Sequence, residues 1–295
     1  MDKKISIILP AYNEESAIGQ VIDEIKEAMR KIQYEILVID DASTDRTAEI
    51  AQSKGVKVIK RVIRGGSGAA RKTGIKEALG DIIVMLDVDG SYTASDIPEM
   101  LKFFPEYDQV IGARRHEEGS LKFLRIAAKW LIKALASYLS KTKIPDLNSG
   151  LRAFKKSVML KYLWAIPDGF SCVSSMTLSF LCNGHPVRWI PTEYHSRIGK
   201  SKFHPIKDTS NYILTVIKMI MYYNPLKVFL PISLSLLAIG VVKTLYDKFL
   251  GIGRMQLSDI VILMTGVVVG TLGLIADLIV AQGRRGNGNT LDNYK

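Results

Sequence analysis

The amino-acid sequence predicts an α/β domain built on a mostly parallel sheet, followed by a pair of membrane-length helices. Over the first hundred residues, short β-branched runs alternate with stretches of helical spacing. That alternation is the signature of strand–helix–strand units in a three-layer domain. Three of the runs end in polar clusters. Near the C-terminus, two runs of 21 and 22 residues are apolar on every face, and a helix needs about 20 residues to cross the hydrocarbon core.

The elements follow in order. Residues 5–9 form a strand that ends at Pro10. Ile18, Val21, Ile22, Ile25 and Met29 recur at helical spacing, predicting a helix over 18–32. A second strand over 36–39 runs into Asp40 and Asp41, and a short helix follows over 44–51. A third strand spans 56–59, a helix 67–79, and a fourth strand 82–86, ending at Asp87. A fifth begins at Val110. In parallel sheets ligands bind beyond the carboxyl ends of the strands. The three polar ends, residues 11–14, 40–41 and 87–89, therefore converge on one crevice.

The C-terminal runs span 226–246 and 260–281, with a short linker between them. Lys227 and Lys243 lie where they can snorkel, and Asp277 lies near an end, which lowers the cost of its charge. A short linker makes a hairpin with both flanks on one side. That side carries the basic N-terminal region and Arg284–Arg285, so the positive-inside rule puts it in the cytoplasm. No signal peptide is expected, since Lys3 and Lys4 lead straight into a strand. Cys172 and Cys182 are expected as reduced thiols, and residues 282–295 as a disordered cytoplasmic tail.

Composition narrows the class. Hydrophobic residues make up 47% of the 295, too many for a disordered chain. Two cysteines exclude a disulfide-stapled module. The formal charge is +11, unevenly placed. Residues 1–113 hold 15 basic and 19 acidic residues, whereas 114–207 hold 17 basic and 5 acidic. A basic block of this kind fits anionic lipid or a phosphorylated substrate. No nucleic-acid recognition motif accompanies it. Residues 120–140 place Leu121, Leu124, Ala128, Leu131 and Leu135 on one stripe and lysines and an arginine on another. This predicts an interfacial amphipathic helix, with Trp130 near the head groups. Residues 206–225 are expected as a second juxtamembrane segment.

Asp87 and Asp89, two residues apart at a strand end, can reach one hard cation such as Mg²⁺ or Mn²⁺. An EF-hand fails on spacing, because Gly90 takes the fourth loop position and Pro98 the twelfth. Asp40, Asp41 and Asp45 fit either a turn cluster or recognition of a base and ribose. Residues 65–70, Gly-Gly-Ser-Gly-Ala-Ala, follow the third strand rather than the first, unlike a dinucleotide fingerprint. A helix N-terminus beside a phosphate and a capped turn both suit them.

Pro10-Ala11-Tyr12-Asn13-Glu14-Glu15, Asp40-Asp41 with Ser43-Thr44-Asp45, Gly68-Ala69-Ala70 with Gly74, and Asp87-Val88-Asp89-Gly90 appear in order. Together they resemble the family 2 inverting glycosyltransferases, which have a GT-A fold. Asp146-Leu147-Asn148-Ser149-Gly150-Leu151-Arg152 and residues 195–202 narrow the resemblance to the polyprenyl-phosphate glycosyltransferases, the group of dolichol-phosphate mannose synthase. It covers about residues 4–205, so that 1–205 is the expected catalytic domain.

The resemblance implies that Pro10, Ala11, Asn13, Glu14, Asp41 and Asp87 hold the nucleotide. It implies that Asp87 and Asp89 hold the metal, with Asp89, Asp146 and Arg152 at the centre of catalysis. Arg114, Ser149, Arg152, Arg197, Ser201 and Lys202 would hold phosphates of donor and acceptor. Asp146 would orient an arginine or bind a sugar hydroxyl. Many relatives carry Gln where this chain has Ser91, and some carry an acidic residue in the segment matching 169–175, which has none here. A phosphate acceptor needs no general base, so the expected reaction moves a hexose from a nucleotide sugar to a polyprenyl phosphate. The two-span architecture favours a uridine diphosphate donor over guanosine diphosphate mannose. Transfer to a sugar hydroxyl is the nearest alternative, and a non-catalytic nucleotide-sugar sensor a more distant one. A homo-oligomer is open, since such hairpins can associate.

Overall fold

The computed structural model describes residues 4–114, 137, 142–169, 171–196, 214, 217–218, 221–251 and 253–291, with 283–291 described by backbone alone. It divides into two compact units, Met1–Val216 and Ile217–Lys295. The division falls inside the expected juxtamembrane segment rather than at its start.

Among the described residues the first unit holds seven strands: β1 (Ile5–Ala11), β2 (Tyr34–Asp40), β3 (Lys57–Lys60), β4 (Ile82–Met85), β5 (Gln109–Arg114), β6 (Arg152–Lys155) and β7 (Val187–Thr192). Its described helices are α1 (Ile18–Ala28), α2 (Thr47–Ser53), α3 (Ser67–Glu77), α4 (Ile97–Leu101), α5 (Lys156–Tyr162) and α6 (Cys172–Cys182). The sheet order is β3-β2-β1-β4-β6-β5-β7. All pairings are parallel except those of β6, which runs against both β4 and β5. This is the expected mostly parallel sheet with one reversed strand.

Alternation along β1 divides the core. Ile5, Ile7, Leu9 and Ala11 point to one face and pack against Ile18, Val21, Ile22 and Ile25 of α1. Ile8 points to the other, with Leu37, Ile39, Ile83 and Met85, under α3, α5 and α6. The period of two in each strand and the apolar stripe of each helix thus make a three-layer sandwich. Each fully buried Ile or Leu contributes about 1.5–3 kcal/mol.

Two consequences position the site. The order β2-β1-β4 brings the polar ends of three strands side by side, with Ala11 opposite Asp40. Because β6 is reversed, its first residue, Arg152, lies at the same edge, opposite Met85 and Ile111.

Helix α6 was not legible in advance. Its Ser174, Ser175, Thr177 and Ser179 are all buried, a polar set no amphipathic pattern would place in a core. Their hydroxyls are satisfied within the helix: Ser175 Oγ donates to the Ser171 carbonyl (3.1 Å) and Ser179 Oγ to that of Ser175 (2.8 Å).

The second unit contains helices α7 (Leu226–Phe249) and α8 (Leu257–Leu291). Leu226–Phe249 and Leu257–Gln282 are each long and apolar enough to cross a membrane. They pack closely through small residues, as membrane helix pairs do. A Cβ at Gly240 would meet Leu263, and one at Gly266 would meet Leu237. Ser233 Oγ crosses to the Gly266 carbonyl at 2.7 Å. At the connecting end Lys243 Nζ bridges Asp247 and Asp259, each at 2.6 Å. The backbone of α8 stays helical to Leu291, across most of the tail expected to be disordered. No proline follows Pro231 to stop it.

Candidate active site

The loops after β1 and β2 are knitted together by backbone donors. Past β1 the chain turns at Asn13, whose φ is 51°, and past β2 at Ala42, whose φ is 60°. Both lie in the left-handed region, which Asn tolerates and Ala rarely adopts. Thr44 N donates to Asn13 Oδ1 (2.8 Å), Asn13 N to Ser43 Oγ (3.0 Å) and Glu14 N to Thr47 Oγ1 (2.8 Å). The Glu14 carbonyl accepts from Ala17 and Ile18 and starts α1. Asp45 accepts from Thr47 and Glu15, bonds that carry its pKa below the usual value although burial pushes upward.

Asp41 is buried and lies beside β1, its N–H bonded to the Ala11 carbonyl. Its carboxylate takes Arg61 Nη1 at 2.5 Å and the N–H groups of Gly65 and Gly66 at 3.0 and 2.7 Å. Asp41 therefore organises the glycine loop in this state. The first turn of α3 is likewise capped, because Gly68 N (2.7 Å) and Ala69 N (3.4 Å) both donate to the Asp168 carbonyl. The capped turn, rather than an open phosphate cradle, is the form this loop takes. Gly66 and Gly68 are required there, since a Cβ at either would strike the 167–168 backbone.

At the end of β4, Asp87 and Asp89 share the crevice edge. The Asp87 carboxylate receives a short contact from Nη2 of Arg71, a buried residue of α3. Arg71 also reaches Ser67 and, at 3.7 Å, the thiol of Cys172. Asp89 Oδ1 accepts from Ser91 N (3.1 Å) and from the Ser91 hydroxyl. Gly150 lies against Asp87: a Cβ there would collide with the Asp87 carboxylate and the Tyr92 ring. Gly150 N donates to Tyr92 Oη at 2.8 Å. Burial, reinforced by Asp87, holds the Tyr92 hydroxyl far above its usual range, so it stays neutral.

Beyond β5, Arg114 and Asp146 form a two-pronged pair, Nε–Oδ2 2.7 Å and Nη2–Oδ1 2.9 Å. Asn148 N adds a third bond to the carboxylate at 2.9 Å. Burial opposes the charge on Asp146, yet Arg114 and these N–H groups hold its pKa below the ordinary carboxylate value. Tyr194 lies under the Arg114 guanidinium, 5.3 Å from ring centre to Cζ. The pair presents an oriented guanidinium at the carboxyl edge.

Arg152 and Ser149, expected among the phosphate contacts, are both enclosed. Arg152 is fully buried. Its guanidinium donates to the Ser149 carbonyl (2.5 Å), the Val173 carbonyl (2.9 Å) and Thr177 Oγ1 (3.2 Å). Burial, then repulsion from Arg71, lowers its pKa to about 10, so it stays charged at neutral pH. Ser149 is buried too and supplies that carbonyl. Neither lines the crevice; Arg152 ties the 146–150 loop to α6 beneath it. The reason is the reversal of β6, whose residues alternate between the two covered faces. Arg197, Ser201 and Lys202 lie outside the described residues, as does nearly all of 120–140. Sequence reasoning missed Arg71, Arg61 and Asp168, whose roles depend on partners far along the chain. A basic residue 16 or 20 positions from its carboxylate, on another element, carries no local signal.

The donor set suits a hard divalent cation. Among the described residues no group of three His, Cys, Asp or Glu side chains gathers, so the chain would supply Asp87 and Asp89. Mg²⁺ is commonly held by one or two carboxylates with substrate phosphates and water completing its shell.

A sheet of this order with paired aspartates after β4 defines a GT-A transferase, the class that handles nucleotide-activated sugars. The chain belongs to glycosyl transferase family 2, whose model matches residues 6–163, and residues 224–281 match the GtrB C-terminal hairpin. It is 29% identical to glycosyltransferase AglJ of Haloferax volcanii across 95% of both chains. It is 24% identical to dodecaprenyl-phosphate galacturonate synthase of Rhizobium johnstonii, over 94% of this chain and 87% of that one. In fold it resembles glucosyl-3-phosphoglycerate synthase of Mycobacterium tuberculosis, solved with Mn²⁺, UDP and phosphoglyceric acid (TM-score 0.61, 19% identity, 74% of this chain and 78% of that one).

Proposed function

We propose that this chain is a membrane-anchored hexosyltransferase that moves a sugar from a nucleoside diphosphate donor to a polyprenyl phosphate. The observation that supports it most is the joining, in one chain, of Asp87 and Asp89 at the sheet edge to two membrane-length helices. A soluble acceptor would not require the hairpin.

The chemistry then needs little from the protein beyond placement. A phosphate monoester has a second pKa near ~6, so it is mostly dianionic at neutral pH. One of its oxygens attacks the anomeric carbon as the bond from that carbon to the donor diphosphate breaks, inverting the centre. No group must take a proton from the nucleophile. The protein must hold two anions together, and Arg114, whose pairing with Asp146 supports this role, binds one of them. Asp87 and Asp89 would hold a divalent ion, which when bound would supply charge neutralisation for the departing diphosphate. The asparagine and aspartate loops after β1 and β2 bind the nucleoside. Arg197, Ser201 and Lys202 complete the phosphate contacts, and Arg152 acts through the loop it anchors. The hairpin crosses the cell membrane with the catalytic unit and both termini in the cytoplasm.

Detergent-solubilised protein should be incubated with polyprenyl phosphate, Mg²⁺ and radiolabelled nucleotide sugars in turn, uridine diphosphate sugars first. Label is expected in the lipid fraction, and EDTA should abolish it. Label found only in saccharide would move the acceptor to a sugar hydroxyl. Undiminished transfer in EDTA would remove the metal.

A further inference from the structure

Between residues 4 and 196, five large apolar side chains among the described residues are exposed, and three of them lie on or beside the wall of one cavity. Val62 and Ile63 are 96% and 77% exposed, and Trp164 is 58% exposed. Trp164 lines a cavity of about 550 Å³ together with Arg61, Gly65, Lys72 and Lys76. The loop bearing Val62 and Ile63 leaves the wall of that cavity at Arg61 and returns to it at Gly65.

The loop is not loosely held. Arg61 is paired with Asp41, Gly65 and Gly66 donate to the same carboxylate, and Arg64 stacks over Tyr12 at 3.9 Å. Its stem is fixed while its two β-branched tips face water. Stray apolar residues are ordinary on a surface, but a supported cluster with an exposed tryptophan marks a contact site. The charge around it is positive: Lys60, Arg64 and Lys76 are exposed. The neighbouring anions are few, since Asp41 is spent on Arg61 and Asp168 on Lys72 at 2.6 Å, leaving Glu77. The patch also has a direction. Residue 61 follows the carboxyl end of β3, and 163–168 caps the start of α3. The loop of residues 61–65 therefore lies on the side of the sheet that carries Asp87 and Asp89, and the patch extends from it along α3 to Lys76.

We propose that this edge docks on an anionic bilayer surface, with Val62, Ile63 and Trp164 entering the interface and Lys60, Arg64 and Lys76 meeting lipid phosphates. Apolar wedges ringed by cations, with an aromatic at head-group depth, bind such surfaces through both terms at once. The inference rests on the reading that the hairpin lies in a membrane. It adds a second attachment that would turn the crevice toward the lipid-borne phosphate.

The full chain carrying Cys182→Ser and Val62→Cys, labelled at residue 62 with nitrobenzoxadiazole, tests it. Val62 is exposed, so the label does not burden the fold. The protein is reconstituted into vesicles of phosphatidylcholine alone or with equimolar phosphatidylglycerol. Label emission should shift to the blue and strengthen several-fold with the anionic lipid. High salt, or Lys60→Glu with Lys76→Glu, should reverse the gain. Water-like emission in both vesicles overturns the proposal, as does a shift that follows added nucleoside diphosphate instead of lipid. Alkaline carbonate extraction is scored in parallel. A hairpin that resists extraction beside a water-like label sinks the docking surface and spares the membrane anchor. A hairpin that extracts beside a label responsive to added anionic vesicles does the reverse.

Discussion

Arg71 and Asp87 form an ion pair between α3 and the end of β4, the guanidinium buried and the carboxylate about one-third exposed. One of the two aspartates expected to face a divalent ion is thus held from behind by α3. The pairing fixes the carboxylate's direction and balances its charge before any ligand arrives.

Arg71→Met should therefore cost about 3 kcal/mol of unfolding free energy, the low end for breaking a buried pair, because Asp87 keeps some water. Urea unfolding of the purified chain measures it. A loss below about 1 kcal/mol would class the pair with surface bridges.

Ser91 donates twice to Asp89 Oδ1, and Ser91→Ala removes the hydroxyl bond alone. Groups that orient a metal ligand are typically worth about 10–100-fold in metal affinity. The Mn²⁺ concentration giving half-maximal turnover should rise by that factor with the fold intact. An unchanged titration would free Asp89 of this support.

Gly150→Ala would drive a methyl into the Asp87 carboxylate and the Tyr92 ring. Overpacking of this kind costs about 1–3 kcal/mol. Because the clash is with Asp87, metal dependence should weaken alongside thermal stability. A variant with ordinary metal response and ordinary melting would mean that the loop yields freely.

Asp146 gives a pH prediction with a defined sign. Its folded pKa lies below the ordinary value, so above the unfolded Asp pKa, about 3.9, its ion pair with Arg114 is fully present. As pH falls through the folded value, the unfolded chain holds more protons and the stabilisation is lost. Denaturant midpoints from neutral to strongly acid pH should fall more steeply for the parent than for Asp146→Asn. Parallel curves would contradict the pairing.

Arg152→Lys tests a residue that acts from beneath the site. Lysine cannot reach the Ser149 carbonyl, the Val173 carbonyl and Thr177 together, so unsatisfied acceptors should cost about 1–3 kcal/mol. With the side chain enclosed, kcat should fall while KM for lipid phosphate holds. A raised KM with unchanged kcat would return Arg152 to the acceptor.

The first four strands and the helices between them were legible because their cores are local patterns. Ile7 and Leu9 alternate with Ile8, and Ile18, Val21, Ile22 and Ile25 repeat at helical spacing, so neighbours in sequence declare which face is buried. Strands β6 and β7 and helix α6 were not. Strand β6, Arg152–Lys155, has a charged residue at each end and only two apolar residues between them, so it shows no apolar run, and a helix of buried serines shows the wrong polarity.

The sequence by itself determined the α/β class, the paired aspartates at a strand end and the two apolar spans, since each is a composition or a period that a short segment carries whole. The tertiary structure decided which charges meet. Arg71 and Asp87 are 16 residues apart, Arg114 and Asp146 are 32, and Arg152 reaches Thr177 at a separation of 25. A buried ion is settled by the partners that surround it after folding. Only the assembled sheet, with one strand reversed, shows Arg152 enclosed against Val173 and Thr177 and Arg114 paired with Asp146.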